Sequence, residues 1–489
     1  MESWSRFNRL FRTERYGGFL YGALANVLFK LDDPHWEAAR ALRDAAAGGA
    51  APEPATARDD DAFLAALREH SILIEPRQEE AQLLARRYAR LTAAFDTSEL
   101  GLTVCPTLAC NFRCPYCFEA SQGDRTVMSP ETVSRLVTFI ERHRDARRVA
   151  LAWYGGEPTL AWGVVRDVTE RVKRLDIDFE HAALVTNGYL LDAAKIAALG
   201  DLMIDSIQIT LDGPRDVHDS RRVHAEGGPT YDRILENVDR LMSSGYEGRC
   251  AIRVNVDRDN ADRFAGLRRE LLERFDGTRL TVYAGHVHVD PGHPYGCGCS
   301  FDGDEWAAFT LDLYAREALL PTRGFHPPTH PHGCVANAHQ GFVVGPAGEL
   351  YKCWEDVGRP EMIIGDLYAD EPVTDPGLRA RYALGTDPYA DEECLACDVL
   401  PVCGGGCPNK RLRARQLGEP GLEYCGPYRH HLEQYLEAYY DAVLTREICA
   451  AVLGAGPAPQ DDRGWRVVSP AASPGSGPRP ADGPIPSDA

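Results

Sequence analysis

Between residues 99 and 290, six short apolar runs alternate with helix-like stretches, and this regularity limits the fold more than any other feature of the chain. The runs are LGLTV (100–104), VALAWY (149–154), AALVT (182–186), SIQITL (206–211), AIRVNV (251–256) and RLTVYAG (279–285). Between them, SPETVSRLVTFIERHR opens with Ser129 as a helix cap and Pro130 at the first helical position. PTYDRILENVDRLMSSG places Ile234, Val238 and Leu241 on one face and ends at Gly245. Apolar strands separated by helices predict an α/β fold with a parallel sheet, either open or curved into a partial barrel. In such folds the site lies at the carboxyl ends of the strands. The unusual residues gather at that edge: CNFRCPYC follows the first run, GGEP (155–158) ends the second, TNG (186–188) the third and TLDGP (210–214) the fourth.

In PTLACNFRCPYCFEA, Cys110, Cys114 and Cys117 stand within eight residues, with Tyr116 before the last. Three thiolates are one short of a closed tetrahedral set, and an open position marks a reactive site rather than a structural one. The plainer reading is a structural zinc knuckle with a distant fourth cysteine. Residues 330–430 hold a second cysteine series: Cys334, Cys353, Cys394-x2-Cys397-x5-Cys403-x3-Cys407 and Cys425. This region is rich in Gly and Pro and poor in long periodic segments, so metal sites are its natural staples. Zinc ribbons are the alternative there. Cys105, Cys250 and Cys449 sit in apolar stretches and read as inert core residues.

The net charge of −20 argues against a nucleic-acid surface, which needs basic patches to displace counterions. No apolar run approaches the roughly 20 residues needed to cross a bilayer, and no signal-peptide pattern opens the chain. A cytoplasmic location is expected, where clustered cysteines are metal ligands or redox groups more often than disulfides.

The triple-cysteine motif, with an aromatic before its last cysteine, resembles the signature of radical S-adenosylmethionine (SAM) enzymes. The resemblance implies a [4Fe–4S] cluster on Cys110, Cys114 and Cys117 whose open iron is chelated by SAM. Reductive cleavage of SAM then yields a 5′-deoxyadenosyl radical that abstracts a substrate hydrogen, with a flavodoxin or ferredoxin as electron donor. WYGGEPTL matches the family's GGEP motif, so Gly155, Gly156, Glu157 and Pro158 become SAM-site residues: the glycines let the backbone approach a ligand, Pro158 fixes the turn, and Glu157 pins the loop. IQITLDGP resembles the segment near the SAM ribose, which implicates Thr210 and Asp212. Tyr116 joins the cofactor set. His218, Asp219 and Arg222 match an accompanying string, with structural ion pairing equally open to them. Asn187 and Asn255 are weaker candidates that could simply satisfy strand-end backbone groups.

The later cysteines resemble a SPASM domain, a carboxyl-terminal extension that binds two auxiliary four-iron clusters, which makes three [4Fe–4S] clusters in all. By this resemblance Cys394, Cys397, Cys403 and Cys425 hold the outer cluster and Cys334, Cys353 and Cys407 the inner one. The inner set is again one ligand short. Either it is open to substrate or Cys297 or Cys299 reaches in. His286 and His288 alternate on the sixth run and share a face, either lining the substrate cavity or accepting a proton, or else as satisfied buried histidines.

The expected organisation is a winged-helix-like domain at 1–95 that grips a leader peptide, a partial (β/α)6 radical SAM barrel at 96–295, a SPASM domain with closing helix at 296–453, and a disordered tail at 454–489. Within the first, YGGFLYGALANVLFKLD suggests a hairpin, DPHWEAARALRDAAA a helix capped by Asp33, and AFLAALREHSILIE a helix and short strand. GGAAPEPATARDDD reads as a flexible insertion. Sulfatase-maturating members resemble one another in an Asp directly after the second inner-set cysteine, where this chain has Trp354. The resemblance is therefore closer to maturases of ribosomally made peptides, oxidoreductases that install thioether or carbon–carbon cross-links in a precursor. A sulfatase-maturating-type or other radical SAM dehydrogenase is the alternative.

Overall fold

The computed structural model describes residues 2–48, 61–118, 125–290, 293, 295, 298–317, 324–328, 334–452 and 464–468. The chain opens with β1 (Ser3–Trp4), β2 (Asn8–Thr13), β3 (Gly17–Gly22) and β4 (Val27–Leu31), and β5 (Leu73–Ile74) returns to pair with β1. The expected hairpin is β3–β4, with Leu20 opposite Phe29 and Tyr21 opposite Leu28. β2 adds a third antiparallel strand. NRLFRT has no clean apolar alternation, which hid it; Arg9 and Arg12 are drawn instead to Asp398 and Asp33. Helices Asp33–Ala47, Asp61–Glu69 and Pro76–Ala94 follow. The first is capped by Asp32 rather than Asp33, because Asp32 Oδ1 accepts the His35 N–H at 3.0 Å. Most of the insertion after it (49–60) lies outside the described residues.

The six expected strands are β6 (Glu99–Val104), β7 (Arg148–Trp153), β8 (Asp178–Thr186), β9 (Ile204–Leu211), β10 (Arg249–Val256) and β11 (Leu280–His286). They lie side by side in chain order, all parallel. Sequential order with right-handed crossovers puts every helix on one face, so the sheet curls with that face outward. β6 pairs on its other side with β12 (Gly341–Val344), parallel, and β13 (Glu349–Tyr351) and β14 (Gly365–Asp366) continue antiparallel. The cysteine-rich region is therefore part of the barrel sheet, and the boundary expected at residue 295 does not interrupt it.

The strands are apolar on one face only. Leu102, Leu151, Ile207, Ile209, Ile252 and Val254 join the core under the helices. The opposite parity carries Thr103, Ser206, Gln208, Thr210, Arg253, Asn255 and Tyr283. Tyr283 donates its hydroxyl to Gln208 Oε1 at 2.6 Å, and Arg253 Nε donates to Asn255 Oδ1 at 2.9 Å. Thr103 Oγ1 and Ser206 Oγ are buried with no hydrogen-bond partner among the described residues. An inward row of polar groups with unmet capacity marks a ligand cavity rather than a packed core.

The closing helix (Tyr428–Val452, kinked at His431) packs its Leu436, Tyr439 and Tyr440 with Phe19 and Tyr21 of β3. The tail departs from expectation at β15 (Trp465–Val468), which pairs antiparallel with β4. Its surroundings in sequence are Pro, Gly, Ala and Ser, but WRVV itself is apolar enough to fill an open sheet edge. Apart from Gly464, the rest of 454–489 lies outside the described residues.

Candidate active site

The triple-cysteine loop is held against the GGEP loop by main-chain bonds: Gly156 N–H to Thr107 O at 3.1 Å and Glu157 N–H to Ala109 O at 2.9 Å. A Cβ at Gly155 (φ +104°) would lie 2.6 Å from Thr107 O, and one at Gly156 2.4 Å from Leu108 O. The glycines therefore permit close approach to the cluster loop's own backbone, a different partner from the ligand expected from sequence. Glu157 is buried and saturated: Oε1 accepts from Thr159 N–H (3.0 Å), the Thr159 hydroxyl and the Thr186 hydroxyl (2.7 Å), and Oε2 from Asn187 N–H (2.7 Å). With its acceptors so engaged it pins the ends of β7 and β8. Pro158 starts the one-turn helix Pro158–Ala161.

Burial pushes the Cys110 thiol up to about 12, with the charge of Glu157 adding to it. Burial likewise raises Cys114, while Arg222 pulls the other way. Thiols held this high stay protonated unless a metal draws the proton off. Among the described residues, no three His, Cys, Asp or Glu side chains gather closely enough for a single metal ion.

Behind the loop lies a buried charged network. Tyr116 donates to Asp212 Oδ1 at 2.7 Å and accepts from Arg222 Nη1 at 2.9 Å and Asn255 Nδ2 at 3.3 Å. Arg221 Nε donates to Asp212 Oδ2 at 2.9 Å, and its two terminal nitrogens grip Asp257 at 2.9 and 2.7 Å. Asn260 donates to the Asp212 carbonyl at 2.5 Å. Burial opposes the charge on Arg222, yet Cys114, Tyr116 and Asp212 together keep it charged. Arg221, Asp257 and Asn260 escaped the sequence reading because Arg and Asp are common surface residues; only their burial singles them out.

Thr210 faces the cavity from β9, next to Arg253, and its hydroxyl makes no hydrogen bond within the described residues. His218 and Asp219 do not enter the cavity network: His218 bonds Thr230, and Asp219 accepts the N–H groups of Thr230 and Tyr231. Both anchor the start of helix Tyr231–Met242. Asn187 bridges Asn111 at 2.8 Å, tying β8 to the cysteine loop.

The later cysteines fall into two sets. Cys403 feels the charge of Cys425 and Cys394, and Cys397 that of Cys403. Arg411 and Arg429 donate to the sulfurs of Cys394 and Cys425 at 3.2 and 3.1 Å. Burial raises the Cys353 thiol well above its usual value, and Asp356, Glu355, Cys334 and Cys407 lie near enough to add to it. The turn between the sets, Gly404–Gly405–Gly406, has three successive positive φ angles. Cys105 and Cys250 are buried core residues, as expected. Cys297 and the side chain of Cys449 lie outside the described residues, and Cys299 is disulfide-bonded. Glu355 was missed from sequence. Its carboxyl is raised by burial against the pull of Lys410, and it makes no hydrogen bond or ion pair among the described residues. Its neighbour Trp354 lies beside Tyr154 at 6.1 Å.

His286 stacks on Trp306 (4.8 Å, 6°) and bonds the Phe301 carbonyl at 3.0 Å. Burial lowers it to about 4, and lowers His288 to about 2 with the Lys410 ammonium adding to it. Lys410 donates to His288 Nδ1 at 3.1 Å. Both are neutral near pH 7, which favours the satisfied-histidine reading. Because the unfolded chain takes up the His286 proton first, at about 6.5, stability is full above that pH and falls on acidification toward 4. The loss expected is about 3 kcal/mol for this one group. His286→Phe, which keeps an aromatic face on Trp306, is expected to flatten that slope in urea unfolding across pH 4–7.

The donors fit the implied groups in kind: three cysteines on one loop, a buried guanidinium beside Cys114, and cavity-facing hydroxyls without partners. Cys110, Cys114 and Cys117 would hold the iron–sulfur cluster, and SAM bound there supplies radical chemistry. The model of the radical SAM superfamily matches residues 104–271. A serine-type anaerobic sulfatase-maturating enzyme of Bacteroides thetaiotaomicron is 23% identical over 393 residues, covering 71% of this chain and 92% of the relative. One from Klebsiella aerogenes is 26% identical over 332 residues, 61% and 77%. The solved structure of anSMEcpe with bound AdoMet and Kp18Cys peptide has a TM-score of 0.55 at 20% identity, covering 73% of this chain and 99% of that one. With its sequential parallel barrel, its triple-cysteine loop and these matches, the chain carries a radical SAM domain over residues 104–271 and has the α/β radical SAM fold with a cysteine-rich carboxyl-terminal region.

Proposed function

We propose that the chain is a radical SAM peptide maturase that abstracts hydrogen from a ribosomally made precursor and leaves a thioether or carbon–carbon cross-link. In this reading residues 1–95 grip the precursor's leader, residues 96–295 hold SAM, and residues 296–453 carry two auxiliary clusters, for about twelve irons per chain. Gly155, Gly156 and Pro158 shape the SAM pocket, Thr210 serves its ribose side, and Asp212 backs that side from behind through Tyr116 and Arg221. The observation that carries the reading is the amino-terminal meander β2–β3–β4, whose edge already takes an added strand. Strand addition is a common way to hold an extended peptide. A flavodoxin or ferredoxin would supply electrons, and the setting would be cytoplasmic; no described helix is long and apolar enough to cross a membrane.

A second reading, sulfatase-maturating-type oxidation of a side chain to an aldehyde, is favoured by the names of the relatives. Against it stands Trp354 where that group resembles itself in having Asp. Anaerobic co-expression with a co-encoded small peptide separates the two. A precursor that loses two hydrogens, resists fragmentation between two residues and is inert to hydrazide supports the cross-link. A hydrazide-reactive product supports the aldehyde. An unmodified peptide, with SAM cleaved normally, refutes peptide maturation.

A further inference from the structure

β4 is the edge of the meander, and an uncovered edge strand exposes a row of unpaired backbone groups. Here residues from the far end of the chain cover it: Trp465 pairs with Leu31, Arg466 with Lys30, Val467 with Phe29 and Val468 with Leu28. The Asp32 N–H extends the ladder by donating to Gly464 O at 2.8 Å. Side chains anchor the strand at its two ends. Trp465 is 6% exposed and lies against Phe63 and Phe29, ring centroids 5.6 and 6.1 Å away. Val468 is 4% exposed, in the core shared by the meander and the closing helix.

The middle of the strand fits less well. Arg466 stands directly opposite Lys30, and like charges across a ladder are destabilising. The Arg466 guanidinium turns to Glu447 at 3.1 Å and to the Tyr440 ring, while Lys30 donates to its neighbour's carbonyl, Leu31 O. A strand of four residues with one repulsive pair holds its place mainly because it is tethered, since tethering supplies an effective concentration in the millimolar range.

We propose that residues 464–468 are an internal stand-in for the substrate's own strand, occupying in cis the edge that the precursor must take to be modified. This rests on the peptide-maturase reading. The slot selects an extended segment with an aromatic residue at the Trp465 place, an aliphatic three residues on, and a residue other than Lys or Arg opposite Lys30. The precursor's apparent affinity is weakened by the fraction of molecules in which the tail holds the edge.

The test uses the full-length iron-loaded protein and its Trp465→Ala/Val468→Asp variant, which empties both anchors outside the cysteine sites. The probe is a fluorescein-labelled peptide copying residues 461–470. Expected are binding to the variant at least tenfold tighter than to the parent, unchanged iron content, and displacement of the probe by the co-encoded precursor. The variant should also modify precursor at a lower KM with kcat unchanged. Equal probe binding by parent and variant, or no binding by a variant that melts and holds iron normally, overturns the proposal. So does an unchanged KM, while leaving the maturase reading intact. A precursor modified by neither protein sinks the maturase reading, and the stand-in role falls with it.

Discussion

Asp212→Ala is expected to destabilise the fold by ~3–5 kcal/mol, the range for removing one partner of a buried ion pair. Its carboxylate is fully buried and takes Tyr116 on one oxygen and Arg221 on the other, with Arg222 3.6 Å away. Arg221 retains Asp257 after the substitution, but Arg222 keeps no carboxylate among the described residues, being left with the Tyr116 hydroxyl, the Phe112 ring and the sulfur side of the site. An uncompensated guanidinium would then lie behind Cys114. The result should be a lowered urea midpoint together with iron loss from the triple-cysteine loop, because Tyr116 is the residue before Cys117 and loses its acceptor. Asp212→Asn keeps the shape and a hydrogen-bond acceptor, so it should fold better and still fail to cleave SAM at the parent rate. Parent-like stability and SAM cleavage in Asp212→Ala would show that the network is incidental.

Gly406→Ala is expected to empty the outer cysteine set while sparing the triple-cysteine cluster. Gly406 has φ +70°, and a Cβ there would lie 1.7 Å from Tyr424 O and 3.3 Å from Cys425 Cα. That obstacle is main chain, so it cannot swing aside as a side chain would. The Cys407 N–H to Tyr424 O bond at 3.0 Å, which brings the Cys425 segment to the turn, would be lost. On the proposed three-cluster reading, about four of twelve irons per chain should go missing, with SAM cleavage retained. Gly418→Ala is the control: it has a similar φ of +73° but open space around it. It should show left-handed backbone strain of ~1–2 kcal/mol and full iron content. Full iron in Gly406→Ala would mean that Cys425 is not held by this turn.

Local pattern was enough to find the barrel strands and the cysteine positions. The runs around Leu102, Ile207 and Val254 are apolar because one face of each strand is buried under helices, and burial writes itself directly into residue type. The motif loops at strand ends were legible for the same reason. Partners distant in sequence were not. β2 carries Arg9 and Arg12 where a strand pattern should be, because their acceptors, Asp398 and Asp33, are supplied by other elements. Arg221 and Asp257 look like surface charges until the fold buries them together with Asp212.

By itself, then, the sequence determined which segments become the six parallel barrel strands and which thiols are available, since both depend on residue type and short spacing. Only the tertiary structure decided that Gly155 and Gly156 face the cluster loop's backbone, that the cysteine-rich region extends the barrel sheet through β12, and that WRVV fills the β4 edge. Each of these is a meeting between segments tens to hundreds of residues apart. Such meetings are fixed by which sheet edge is open and which backbone can approach, and no local pattern records that.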